Sequence, residues 1–520
     1  MLRLRRFGVL LWTLTLAPGL AGAEETDGPS AVTDERPNIL WITIEDWSAD
    51  LSCYGTKGIE TPHVDRLAAE GVRYTRAFTT APVCSPSRSA MMTGFHQNYI
   101  RAHQHRTVEK KPLPHGIRPT PHLLKEAGYF TCLMSRKTDC NFVPNTRKEL
   151  FEGTDWKQRK PGQPFFARIT FAGTHRLWKR DPQRPIDPAD VELPPYYADT
   201  PFIRRDWANG LEQMQLVDRE VGVILKRLDD EGLRENTIVF FIADHGRCHF
   251  RGKQFLYDEG LRVPLIVCWP GKIEPGQVND DLITAIDLPA TVMELAGAES
   301  PVPLHGLSLF DPAIERRKYV YAARDKMDVT HDAMRAIRSK DHKLILNLMP
   351  ERAYCQFSFY KESAYPGLAE MNVLNLEGKL TPEQAAFMAP SKPEIELFDL
   401  NKDPHEVRNV ADDPAYASVK ERLLAELATW REEVIDDQGV TEAFRGVGVY
   451  PAKCPAPTVG QWCDEHVDEY DFFKNGAPPW YPTRTLEEWQ KVRDLWEPWV
   501  FREPTSTMKR PKIPGTKKPY

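Results

Sequence analysis

Apolar residues along this 520-residue chain gather into short unbroken runs set between longer amphipathic stretches. The first run is Asn38-Ile39-Leu40-Trp41-Ile42-Thr43-Ile44, and Phe165 to Phe171, Thr237 to Ala243 and Pro264 to Trp269 have the same character. Each is bounded by polar residues, and the pattern predicts buried strands. Met214, Val217, Val221, Ile224, Leu225 and Leu228 recur at i, i+3, i+4 spacing and predict a helix over about 207–231, stopped at Gly232. A shorter helix is predicted from Val64 to Ala69, ending at Gly71. Buried strands alternating with helices predict an α/β architecture, with a large mixed, mostly parallel sheet covered on both faces.

Ligands of such sheets bind beyond the carboxyl ends of the strands, so the polar residues that follow each buried run matter most. The first run stops at Glu45-Asp46, the second is followed by Thr174-His175, and the third by Asp244-His245-Gly246-Arg247. Taken singly, each is also what a helix cap or a solvated loop would look like. The segment Cys84-Ser85-Pro86-Ser87-Arg88-Ser89-Ala90-Met91-Met92-Thr93-Gly94 puts a cysteine at the start of a helix. There the helix dipole and unpaired N–H groups favour negative charge, so a thiolate nucleophile and an anion site follow equally well.

The text changes after residue 310. Arg324-Asp325 and Lys340-Asp341-His342-Lys343 precede the apolar Leu344-Ile345-Leu346, and Ile395 to Asp399 reads as a strand running into the turn at Asp403-Pro404. With a helix from Ala415 to Trp430, this predicts a catalytic domain over 38–314 and a smaller α+β subdomain over 315–440. Residues 441–520 hold five of the thirteen tryptophans and eleven of the forty-four prolines, and they read as an extended tail anchored by aromatic residues.

Composition narrows the classes. With 41% hydrophobic and 27% charged residues the chain can bury a large core, which excludes intrinsic disorder. A net charge of −6 offers no basic excess for nucleic acid. Residues 1–23 read as a signal peptide: Arg3, Arg5 and Arg6 precede the apolar run Phe7 to Leu16, and the segment ends Ala21-Gly22-Ala23. That run is too short to span a bilayer, so the expectation is an exported, periplasmic or secreted protein with no stable membrane insertion, joined to its leader by the connector 24–37. Cysteines tend to pair in an oxidising compartment, and nine leave one over. Cys454 and Cys463 are the expected local bridge, Cys268 an inert core residue, and Cys84 the unpaired one.

At Cys84 the chain resembles the sulfatase family of the alkaline-phosphatase-like superfamily. The family signature Cys-x-Pro-x-Arg, followed by Thr-Gly, is matched at Cys84, Pro86, Arg88, Thr93 and Gly94. Pro37-Asn38-Ile39-Leu40 leading to an acidic pair, Ala243-Asp244-His245-Gly246, and Glu396-Leu397-Phe398-Asp399-Leu400 with Asp403-Pro404 follow the family order. The resemblance implies that a maturase oxidises Cys84 to formylglycine during export, and that the hydrated aldehyde is the nucleophile. It also implies a divalent cation, and hard oxygen ligands suit Ca²⁺. Glu45, Asp46, Asp244 and His245 are the implied ligands, although the family's usual Asp-Asp pair reads Glu-Asp here. Arg88 would stabilise the modified Cys84, Lys253 would hold a sulfate oxygen, and His175 would protonate the leaving alcohol. Lys137 matches the lysine of the family's Gly-Lys-x-His element, with Arg136 and Asp139 replacing its glycine and histidine.

His103 and His105, flanked by Arg101 and Arg106, resemble the branch containing heparan N-sulfatase-like enzymes. With Asp139 and Arg324 they are candidate substrate contacts. The function implied is hydrolysis of the sulfate ester or N-sulfamate of a sulfated saccharide. The alternatives are a phosphomonoester or phosphonate hydrolase of the same superfamily, and a catalytically inactive binder of sulfated glycans.

Overall fold

The computed structural model describes residues 36–107, 110–135, 138–327, 330, 332–356, 358–435 and 484–514. Its principal sheet contains, in chain order, β1 (Asn38–Ile44), β2 (Val72–Phe78), β3 (Phe130–Leu133), β4 (Phe165–Phe171), β5 (Thr237–Ala243), β6 (Arg262–Cys268), β7 (Gln277–Asn279) and β8 (Ile283–Thr284). In space the order is β8-β2-β6-β5-β1-β4-β3, with β7 beside β2. β1 lies at the centre, parallel to β4 and to β5, while β6 runs antiparallel to β5 and β2 and makes the sheet mixed. Every residue of β1 and β5 is buried, which is why these strands read as continuous apolar runs rather than as alternating ones.

Among the covering helices are α1 (Pro62–Glu70), α2 (Cys84–Thr93) and α3 (Pro201–Asp230). α3 is capped by the Thr200 side chain, which accepts from the Ile203 N–H, and it starts before the position its apolar stripe marks. Its first turns are buried through ion pairs instead: Arg205 with Glu212 at 2.6 Å, and Asp206 with Arg176 at 2.7 Å.

A second, four-stranded antiparallel sheet is formed by β9 (Val320–Arg324), β10 (Met334–Arg338), β11 (His342–Asn347) and β12 (Ile395–Asp399). Between its last two strands lie α4 (Phe359–Ala364) and α5 (Pro366–Leu376). The sheet packs Ile337, Leu344 and Leu397 against Leu423 and Leu427 of α6 (Ala417–Thr429), the smaller α+β unit expected from the sequence.

The described part of the C-terminal extension is anchored by aromatic residues as expected, but it is helical rather than extended. Thr485 and Glu488 form a capping box that opens α7 (Leu486–Val500), and Trp489, Val492, Trp496 and Val500 fall on one face. That face packs on Phe202 of α3 and on Ala369 and Val373 of α5. The general pairing of cysteines is not met either. Cys53, Cys84, Cys132, Cys140, Cys248, Cys268 and Cys355 are all free thiols. Five of them are buried; Cys268 is in the core as expected, its sulfur taking an N–H from Arg234 at 3.1 Å. The signal peptide, nearly all of the connector, Cys454 and Cys463 lie outside the described residues. Among the described residues no helix is long and apolar enough to cross a membrane.

Candidate active site

The parallel pairing of β1 with β4 and β5 brings their carboxyl ends side by side. Glu45 N–H donates to the Phe171 carbonyl and Asp244 N–H to the Ile44 carbonyl, both at 3.1 Å. Asp46 then turns into the left-handed region at φ 51°, and its N–H donates to Asp244 Oδ1 at 2.9 Å. Asp139, Arg106 and Gln254 also have positive φ values, of 59°, 52° and 81°. Backbone conformations of this kind persist only where the surroundings impose them, and they gather at functional sites. Gly246 has a different reason to be glycine, because a Cβ there would stand 1.9 Å from the Glu259 carbonyl oxygen.

Cys84, at the first turn of α2, points into this junction. Its sulfur lies 3.3 Å from His245 Nε2, 3.3 Å from Lys253 Nζ and 3.6 Å from Asp46 Oδ1. Asp46, Cys84, Asp244 and His245 each offer one donor atom, and these atoms lie within 4.8 Å of one another. Two carboxylates and an imidazole at this spacing, all buried, fit a divalent cation. Arg88 holds the set from behind: Nε donates to Asp244 Oδ2 at 2.9 Å, Nη2 to Glu45 Oε1 at 3.2 Å, and Nη1 to Thr170 Oγ1 at 3.2 Å.

Burial alone would raise the Asp46 carboxyl, but Lys253, His175 and His245 outweigh it and hold it well below the usual carboxylate range. Burial likewise disfavours charge on His245, yet Asp244 and Asp46 raise it to about 10. A cation would therefore enter by displacing that proton, the usual coupling of metal binding to proton release. His175 differs from its neighbours: its side chain is 28% exposed, whereas that of Asp46 is fully buried. Burial lowers its proton affinity, with Asp46 acting in the opposite sense.

Comparison with known proteins identifies the family. The model of the sulfatase family matches residues 37–148 and 136–298, and that of the N-sulphoglucosamine sulphohydrolase C-terminal region matches 246–371. The chain belongs to the sulfatase family. This sulfatase is 33% identical over 460 residues to an ulvan-active sulfatase of Formosa agariphila, covering 79% of this chain and 77% of that one. It is 26% identical to the human N-sulphoglucosamine sulphohydrolase, covering 77% and 91% of the two chains. In fold it is similar to the phosphonate monoester hydrolase of Agrobacterium radiobacter, with a TM-score of 0.59, 18% identity, and 76% and 96% of the chains covered. The protein is a sulfuric ester hydrolase of the heparan N-sulfatase-like branch, on an alkaline-phosphatase-like fold.

The structure brings together Cys84, Asp46, Asp244, His245, Lys253, Arg88 and His175. Glu45 sits on the Arg88 side, outside the four-donor cluster. His105 is buried beside α2, its Nδ1 3.2 Å from Ser85 Oγ, and His103 is half-buried in the same loop. Asp139 forms a two-pronged pair with the exposed Arg106, at 3.1 and 2.8 Å. Arg324 is placed in the interior rather than on an open face: it is 1% exposed, 3.5 Å from Asp332, with its guanidinium over the Phe255 ring. The sequence offers Arg324 as a substrate contact, whereas its guanidinium is paired internally with Asp332. Lys137 lies outside the described residues. Tyr360 was not anticipated; its hydroxyl is 3.2 Å from His175 Nε2. No local pattern marks it, because α4 reaches the site only through the tertiary fold.

Proposed function

We propose that this sulfatase is exported and hydrolyses the sulfate ester or N-sulfamate of a sulfated saccharide, using a formylglycine made from Cys84 and a bound Ca²⁺. The observation that carries the reading is the position of the Cys84 sulfur, in reach of Lys253, His245 and Asp46 together. The ulvan-active and N-sulphoglucosamine relatives support a saccharide substrate, and the positively charged segment before Phe7 supports export.

Formylglycine would supply a geminal diol at the Cys84 position. Ca²⁺, held by Asp46, Asp244 and His245 with Glu45 close by, would supply Lewis-acid polarisation of a sulfate oxygen. The remaining work belongs to the chain's own residues. Lys253, charged and buried beside Asp46, opposes negative charge on the sulfate oxygens. Arg88 fixes the Asp244 and Glu45 carboxylates in place. His175, the partly exposed group, faces the side from which a sugar would enter and gives a proton to the leaving oxygen. Arg106 and Asp139 stand at the rim, where a polyanionic substrate would meet a guanidinium first.

Peptide mass spectrometry across Cys84 tests the reading, on protein exported from a host that also makes a formylglycine-generating maturase. Formylglycine is expected, together with sulfate release from sulfated saccharides, and both should vanish when Pro86 or Arg88 is replaced. An unaltered cysteine would leave the glycan-binding alternative standing. Faster cleavage of phosphate or phosphonate monoesters than of sulfate esters would favour the phosphohydrolase alternative.

A further inference from the structure

The face of the central sheet that α2 covers carries a buried cation that the candidate active site does not use. β1 and β4 run in parallel register, so Trp41 stands opposite Arg168 and Thr43 opposite Thr170. Trp41, Thr43 and Arg168 are all buried, Arg168 being 2% exposed. Arg168 Nη1 is 3.8 Å from Met92 Sδ of α2, and the guanidinium lies 5.3 Å from the centre of the Trp41 ring. Among the described residues no hydrogen-bond partner meets Arg168 Nε, Arg168 Nη2, Trp41 Nε1 or Thr43 Oγ1. The three nitrogens can only donate.

The charge lacks a counterpart as well. Asp244 and Glu45, the carboxylates on this side of the site, are held by Arg88, which also donates to Thr170 Oγ1. Burial pushes the nearby Cys140 thiol up to about 11, so it is uncharged at neutral pH. Burial, with Arg88 adding to it, lowers the Arg168 guanidinium to about 10, which leaves it charged there. A buried charge that is neither paired nor hydrogen-bonded is very costly. A water molecule offers lone pairs but no charge, and its own hydrogens would face a cation and an N–H donor. An anion answers both needs, because it only accepts and it neutralises.

We propose that these donors, enclosed by β1, β4 and α2, form a binding site for a small monovalent anion, chloride, held by Arg168 Nε and Nη2 and by the Trp41 N–H. The enclosure admits nothing larger than a halide. The bound anion offsets the repulsion between Arg168 and Arg88, and so steadies the residue that holds Asp244 and Glu45. The site does not depend on whether Cys84 is converted.

Crystals of the mature protein soaked in sodium bromide test this directly. An anomalous peak is expected beside Arg168 and Trp41 in the wild type, and none there in Arg168→Leu. In solution, chloride is exchanged for gluconate, an anion too large to be enclosed, with ionic strength and free divalent cation held constant. The wild type should gain about 3 °C in Tm at a hundred times the chloride Kd. Arg168→Leu should gain nothing, and in gluconate it should melt no lower than the wild type, because it removes an uncompensated buried charge. Trp41→Phe, which keeps an aromatic ring and loses one donor, should weaken chloride about tenfold, and it carries the test if Arg168→Leu does not fold. Water in place of bromide, or the same response to chloride in the wild type and the variants, would overturn the proposal.

Discussion

The Lys253 ammonium lies 3.3 Å from the Cys84 sulfur, with the Asp46 carboxylate 2.7 Å away on its other side. Among the described residues it is the one buried lysine that touches both Cys84 and a candidate metal ligand. Lys253→Met is expected to lower kcat for sulfate release by about 10²–10³-fold, the usual cost of losing one preorganised electrostatic group. Steady-state sulfate release, with a thermal melt alongside to verify folding, checks this. A loss below tenfold would contradict the role.

Asp46, Asp244 and His245 give a cation three protein donors from two strand ends, so binding should stabilise the whole central sheet. Chelation is expected to abolish sulfate release and lower Tm. Ca²⁺ at a hundred times its Kd should return about 2.7 kcal/mol of stability. Asp244→Asn should make Tm nearly insensitive to the ion. Thermal unfolding with and without chelator reads the difference.

Far from the site, Asp218 of α3 accepts from the N–H groups of His63 and Val64 at the start of α1, and burial pushes its carboxyl up to about 6. A raised carboxyl favours the protonated folded state. Its contribution is therefore complete below about pH 4 and lost as pH rises through about 6, amounting to about 3 kcal/mol. Relative to Asp218→Asn, the wild type should lose stability across that window, as measured by urea unfolding at pH 4, 5, 6 and 7. A parallel pH dependence of the two proteins would refute this.

The central strands were legible because β1 and β5 are buried on both faces and spell out apolar runs. Strand direction pointed to the positions after these runs, Asp46 and Asp244 among them, while the roles given to them came from the family resemblance. β2 was not, because its half-exposed Arg73, Thr75 and Arg76 break the apolar pattern. Arg324 was expected as a substrate contact, and local text could not show that its guanidinium is buried beside Asp332. α7 announced itself through Thr485-x-x-Glu488 and the spacing of its tryptophans, a signal that the surrounding prolines obscured. Tyr360 lies beyond local text altogether.

Trp496 is fully buried where α7 meets α5. Trp496→Ala should cost about 3–5 kcal/mol of local stability. Its effect should reach the site, because Arg502, just after α7, donates to the Trp178 carbonyl at 2.6 Å, and Trp178 Nε1 donates to the Thr174 carbonyl beside His175. Hydrogen exchange should rise over 486–500 and over 174–178 together. A rise confined to the helix would break the link.

Cys84 is only 1% exposed, and His245 and Lys253, which close on its sulfur, come much later in the chain. During synthesis the amino-terminal part emerges first, so the cysteine is accessible until the central sheet closes over it. Any enzyme that alters Cys84 must act within that interval. A chain that folds before meeting such an enzyme seals the thiol inside. Supplying the enzyme afterwards restores nothing unless the fold is first undone.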